Sequence, residues 1–269
     1  MCAMRLAVTS DLHLPITHAA TLADMAGAIA TFAPDALVIG GDVAESLLDL
    51  ESCLGLFRRR LSCPIWVLPG NHDLWARDAP SQRLWYEILP QTIRQAGCNW
   101  FEGSAFTHDD IAVAGTIAWY DYSGADSILD EAPATFAREK RYFNPDATKI
   151  DWGWTDLEFA ALVAEPFLAT LDRLESDAGI RQTIVVTHVP VLECQMCRRP
   201  EYRWAFSNAY FGNLTLGAKI LERRKVTHIL SGHTHVERQG TVELPDGRTV
   251  KAWTSASHYR KPAWVGLEL

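Results

Sequence analysis

Apolar residues come in two alternating rhythms along the first third of this chain. Short, mainly apolar runs, Met4 to Thr9, Ala36 to Ile39 and Ile65 to Leu68, are partly β-branched, as strands buried on both faces should be. Between them, Thr21 to Phe32 and Ser46 to Leu61 repeat apolar residues at helical spacing. That order predicts βαβ crossovers, a largely parallel first sheet and an α/β protein. A further helix is predicted over Arg83 to Gln95, with strands at Asn99 to Glu102 and Ile111 to Ile117.

The middle loses this regularity. Asp121 to Trp154 mixes aromatics, charge and Pro with no period, and reads as an insertion over one face. Leu157 to Ser176 has the spacing of a long helix, and Thr183 to Val186 that of a buried strand. A second irregular stretch, Pro190 to Phe211, precedes a helix over Leu214 to Arg224. The tail returns to β pattern at Thr227 to Leu230, Val236 to Glu243, Thr249 to Thr254 and Trp264 to Leu267, with a turn at Pro245-Asp246-Gly247. No linker, repeat or low-complexity segment divides the 269 residues. The expectation is one domain over 1–269, with cap-like insertions at about 121–154 and 190–212.

Charge narrows the choice of partner. A net charge of −8 argues against a long nucleic-acid ligand, which calls for a basic stripe. The short runs Arg58-Arg59-Arg60 and Arg223-Arg224-Lys225 fall at predicted helix ends, where cations suit the helix dipole. No uncharged apolar stretch is long enough to span a membrane, and Met1 to Leu14 lacks the pattern of a secretory signal. The expected location is the cytoplasm. Six cysteines are too few for a disulfide scaffold. Cys194-x-x-Cys197 has no second pair to complete a zinc site, so reduced loop thiols are expected.

The chemistry gathers where strands end. Ser10-Asp11-Leu12-His13 follows the first run, Gly40-Gly41-Asp42 the second and Pro69-Gly70-Asn71-His72-Asp73 the third. Later strands deliver His188 and Ser231-Gly232-His233-Thr234-His235. Ligands of α/β sheets collect at the carboxyl ends of strands, so all five clusters can meet in one crevice. Asp11 and His13, like His233 and His235, are two apart; on extended backbone each pair would point one way. Gly41, Gly70 and Gly232 permit tight turns and close approach. Imidazole mixed with carboxylate suits manganese, iron, zinc or nickel better than calcium.

Taken in order, D-L-H, G-G-D, G-N-H-D, T-H and S-G-H-T-H resemble the signature of the calcineurin-like metallophosphoesterases, from Asp11 to His235. The resemblance implies a four-layer sandwich: two mixed sheets packed face to face with helices outside. It implies that Asp11, His13, Asp42 and His235 hold one divalent ion. Asp42, Asn71, His188 and His233 would hold a second, with Asp42 bridging and His72 beside the scissile phosphate. Two-metal chemistry then implies attack on phosphorus by a hydroxide held between the ions, with His72 stabilising or protonating the departing oxygen. Asp73 would orient His72 through its second ring nitrogen.

The expected substrate is a small phosphomonoester or phosphodiester, nucleotides included. The protein phosphatases of this superfamily use an Asp-Arg-Gly element and G-N-H-E, whereas this chain reads Gly41-Asp42-Val43-Ala44-Glu45-Ser46 and G-N-H-D. His188 is followed by Val189-Pro190, where many cyclic-nucleotide phosphodiesterases carry a second His. A nuclease, or a scaffold that kept the fold without turnover, are the alternatives, although every ligand position is filled. Trp119, Tyr120, Tyr122, Tyr202, Trp204, Phe206, Tyr210 and Phe211 could form a lid over substrate or the insertions' own small core. Arg141, Arg198, Arg199 and Arg203 could clamp a phosphate or simply be solvated. His18, His108 and His258 read as surface residues, and His228 as a satisfied strand residue.

Overall fold

A computed structural model describes residues 3–269. Strands β1 (Arg5–Thr9), β2 (Ala36–Gly40), β3 (Ile65–Leu68) and β4 (Asn99–Trp100) run parallel in one sheet. A second sheet contains β5 (Ser104–His108), β6 (Ile111–Thr116), β7 (Gln182–Thr187), β8 (Val226–Ser231), β9 (Arg238–Glu243) and β10 (Thr249–Thr254), in the order β5-β6-β7-β8-β10-β9. The last strand, β11 (Trp264–Glu268), returns to the first sheet antiparallel to β1.

The alternation of side chains along each strand builds the layers. Leu6 and Val8 of β1 and Val38 of β2 meet Val113, Ile184, Val186 and Leu230 of the other sheet in one apolar cluster. Their neighbours Ala7, Leu37 and Ile39 turn the opposite way. There they pack under α1 (Ala19–Phe32) and α2 (Leu47–Arg58) through Leu22, Ile29, Leu54 and Phe57. Helices α3 (Ser81–Arg83) and α4 (Leu89–Gln95) follow, then α5 (Pro133–Phe143) and α6 (Asp146–Lys149). Helix α7 (Asp156–Ser176) covers the second sheet with Phe159, Val163 and Phe167. Helices α8 (Tyr202–Ser207) and α9 (Leu214–Leu221) complete the set. The result is the predicted α/β sandwich of two mixed sheets between helices.

Local departures from the expected elements have physical reasons. Ser46 precedes α2 as its N-cap, accepting from the Asp49 amide at 3.2 Å. The helix expected over Arg83 to Gln95 widens into a π turn at Leu84–Ile88, directly before Pro90, which has no N–H to continue the α ladder. β4 stops two residues early because Glu102 leaves the ladder to accept from Thr116 Oγ1 (2.8 Å) and the Ile117 amide (2.6 Å). β5 was not expected: its short S-A-F-T-H run is half-exposed with weak alternation. The two irregular stretches hold α5, which buries only Phe136 and so shows no broad apolar face, and the short α6 and α8. Arg58 Nη1 donates to Cys63 O at 2.7 Å and Arg60 Nη1 to Leu56 O at 3.3 Å, so this Arg run finishes a helix end. Among the described residues no helix is long and apolar enough to cross a membrane.

Candidate metal centre

All seven ligand-type residues singled out in the sequence lie together at the strand exits. His13 Nε2 stands 3.2 Å from His235 Nε2 and 3.6 Å from Asp42 Oδ2, and His235 Nε2 is 3.8 Å from Asp11 Oδ1. Asn71 Oδ1 is 3.1 Å from both His188 Nε2 and His233 Nδ1, and His188 Nε2 is 3.6 Å from Asp42 Oδ1. Two groups of side chains therefore share Asp42, one carboxylate oxygen facing each.

The backbone achieves this by a route other than the extended pairs expected. Asp11 (φ 56°), His13 (47°), Asp42 (52°), His233 (72°) and His235 (54°) all adopt left-handed conformations, costly for side chains of this kind and concentrated at functional sites. A strand continued straight would carry alternate side chains past the crevice; a left-handed turn at each exit folds them back into it. Gly41, at φ 97°, supports one turn, and a Cβ there would lie 2.5 Å from His188 Nδ1. A Cβ on Gly232 would meet Ser10 Oγ at 1.9 Å and Asp11 Oδ2 at 2.6 Å.

Each of three histidines has its outer nitrogen anchored. His13 Nδ1 meets Glu45 Oε1 at 2.9 Å, His188 Nδ1 meets Gly40 O at 2.9 Å and His233 Nε2 meets Tyr210 O at 2.9 Å. A nitrogen facing a carbonyl or carboxylate must be the protonated one, which leaves the inward nitrogen with its lone pair. Burial, with His233 nearby, holds His188 down to about 3, and burial takes His235 down to about 4; both are neutral at physiological pH. Asp11 lies below the usual carboxylate range: burial opposes ionisation, but His235, His188 and His13 outweigh it. Burial, Asp73 and Asp11 together push Asp42 well up. Asp11 Oδ2 is buried without a hydrogen-bond partner. Inward lone pairs, an orphan carboxylate oxygen and a crowded Asp42 all fit divalent cations, which supply the missing positive charge.

The supporting residues differ from expectation. Asp73 does not reach His72. Its carboxylate accepts instead from the amides of Gly70 (2.8 Å), Val43 (3.1 Å) and Ala44 (3.3 Å), so it ties the second strand-exit loop to the third. Glu45 stands where Asp73 was expected, with Oε1 3.1 Å from His72 Nδ1 and a salt bridge to Arg77. The hydrogen bonds to His13 and His72 outweigh burial and lower its carboxyl. An acid three residues beyond Asp42, in the same loop, was the available sequence signal. His72 lies on Trp75, ring centroids 3.8 Å apart.

Two more residues carry no motif and were missed. Tyr259 places its ring 4.6 Å from that of His235 and 4.7 Å from that of His13. Asp146, from the first irregular stretch, accepts from Asn71 Nδ2 at 2.9 Å, Trp75 Nε1 at 2.7 Å and Tyr120 Oη at 3.0 Å. His258 is exposed as expected, with its ring 6.0 Å from that of His235. His228 is satisfied within β8 by Thr227 Oγ1 at 2.8 Å. Trp119, Tyr120, Phe206 and Tyr210 are buried as the insertions' own core, while Trp204 and Phe211 remain half-exposed. Arg198 is held by Glu193 and Gly124 O. The five described cysteines are free thiols.

With this geometry in place, the chain is assigned to its class: it belongs to the calcineurin-like phosphoesterase family, whose profile matches residues 4–237. Among characterised relatives, it is 26% identical over 223 residues to the [Acyl-carrier-protein] phosphodiesterase PptH of Mycobacterium tuberculosis. That match covers 76% of this chain and 64% of the relative's length. The crystal structure of phosphopantetheinyl hydrolase PptH from the same organism superposes with a TM-score of 0.68 at 22% identity, covering 98% of this chain and 96% of that one. A dimetal phosphatase from Danio rerio shares the fold at a TM-score of 0.56 and 13% identity, over 94% and 87% of the two chains.

Proposed function

We propose that this protein hydrolyses phosphate esters at two divalent cations. Asp11, His13, Asp42 and His235 would hold one, and Asp42, Asn71, His188 and His233 the other. The observation that carries this reading is the fixed outward nitrogen of His13, His188 and His233, which turns the inward nitrogens of His13 and His188 onto the two oxygens of Asp42 and that of His233 onto Asn71 Oδ1. When bound, such a pair of ions neutralises phosphoryl oxygens and acidifies water near neutral pH.

The chain's own residues supply the rest. Asp42 divides its two oxygens between the two ligand groups and is itself held by the His72 amide at 2.9 Å. Glu45 accepts at His72 Nδ1 and so would aim Nε2 at the departing ester oxygen, where the imidazolium form, which carries a proton on each nitrogen, would act as the general acid. Trp75 beneath the ring fixes its plane. The likeness to PptH favours a phosphodiester as the finer reading. A scaffold without turnover would have no use for a His72 held by both a carboxylate and a stacked indole.

The test pairs metal content with rates. Protein reconstituted with manganese should bind two ions per chain and release p-nitrophenolate from p-nitrophenyl phosphate or its bis ester. His72→Ala should keep both ions and lose about 10²–10⁴-fold in turnover. A parent protein that binds two ions and hydrolyses neither ester would end the proposal.

A further inference from the structure

One open groove adjoins the metal centre. It encloses about 470 Å³ between Trp204, Phe211, Arg199 and Arg203, with Glu201 as its carboxylate. Phe211 connects it to the site: its ring lies edge-on to that of His233, centroids 5.9 Å apart, and 5.7 Å from Trp204 on the other side. The groove is therefore one aromatic ring away from a candidate ligand.

Its charge is unusual for this protein. The chain carries −8 overall, yet two guanidinium groups stand over this groove against a single carboxylate. Arg199 lies 3.9 Å above the Trp204 ring, and Arg203 lies 5.6 Å from that of Phe143. Neither forms a salt bridge among the described residues, whereas nearby Arg198 is committed to Glu193. Guanidinium groups with no carboxylate partner beside an aromatic wall match a ligand that is flat and negatively charged.

We infer that this groove binds the organic limb of the phosphate ester, and that it selects a planar limb bearing a second anionic group. The inference rests on the phosphoester reading of the adjoining site. Aromatic contact would come from Trp204 and Phe211, and the second anion would be paired by Arg199 and Arg203.

Binding of non-hydrolysable phosphonates to the manganese-loaded protein, measured by calorimetry, tests this without turnover. Methylphosphonate, benzylphosphonate and 4-carboxybenzylphosphonate add first a ring, then a charge. Each addition should tighten binding by about tenfold, or roughly 1.4 kcal/mol. Trp204→Ala should erase most of the first step. Arg199→Ala with Arg203→Ala should erase the second and leave the first. Melting temperatures near the parent's show that these variants are folded. Equal affinity of the parent for all three, or steps that survive the substitutions, would overturn the inference. Failed ester hydrolysis alongside a stepped series would instead count against the hydrolase reading alone.

Discussion

His13 and His72 share one oxygen of Glu45, at 2.9 and 3.1 Å, while Arg77 pairs with that same carboxylate. One side chain thus serves a candidate ligand and the candidate acid together. Glu45→Gln keeps the shape but removes the charge: its amide oxygen is a weaker acceptor for the two imidazoles, and its N–H2 would face the Arg77 guanidinium. Turnover at saturating manganese is expected to fall about 10–100-fold, with metal affinity weakened separately through His13. If Glu45 acts on catalysis through His72, the Glu45→Gln/His72→Ala double variant should be no slower than His72→Ala alone. Fully multiplicative losses would show that Glu45 works by another route. The sequence pointed to Asp73 for this role because it adjoins His72, but in the folded loop its carboxylate points back at the Val43, Ala44 and Gly70 amides.

At the scale of elements, what was legible and what was not follows from how each signal is written. β1, β2, β3 and β7 are buried on both faces, so their apolar runs stand out, and ligand types directly after them marked the crevice. Asp146 had no such marker: it sits in a short turn of helix between Pro145 and Ala147, 75 positions from the Asn71 amide that it holds at 2.9 Å. Its importance depends on where the insertion docks, which tertiary packing decides. By accepting from Asn71 Nδ2, it turns Asn71 Oδ1 toward His188 and His233; by accepting from Trp75 Nε1, it also holds the surface beneath His72. Asp146→Asn removes the charge that strengthens the oxygen shared by Asn71 and Trp75 and sets an N–H2 against the Tyr120 hydroxyl. Affinity for the second ion should fall about 10–100-fold while the first is retained, seen as separated phases in a manganese titration. Two unchanged affinities would confine Asp146 to holding the insertion in place.

Across the whole molecule, titrating groups pull stability in opposite directions. His188 is lowered to about 3, and His235 and His228 each to about 4, from an ordinary 6.5, burial being the first cause of each. Their contribution is complete above 6.5 and is lost as pH falls toward those lowered values. Burial pushes Glu102 the other way, from 4.5 up to about 8, against hydrogen bonds from Thr116 and the Ile117 amide. Its contribution is complete below 4.5 and is lost as pH rises through 8, because the fold must then hold an ionised carboxyl with no cation beside it. Below 6.5 the three histidines outweigh the one glutamate and above it only the glutamate remains, so metal-free protein should be most stable at roughly pH 6–7. Glu102→Gln tests the alkaline side in isolation, since glutamine can accept from the Ile117 amide, donate to Thr116 Oγ1 and never ionise. Its melting temperature should match the parent's near pH 5 and exceed it near pH 8.5. Parallel declines in the two proteins from pH 6 to 9 would mean that the alkaline loss arises elsewhere in the fold.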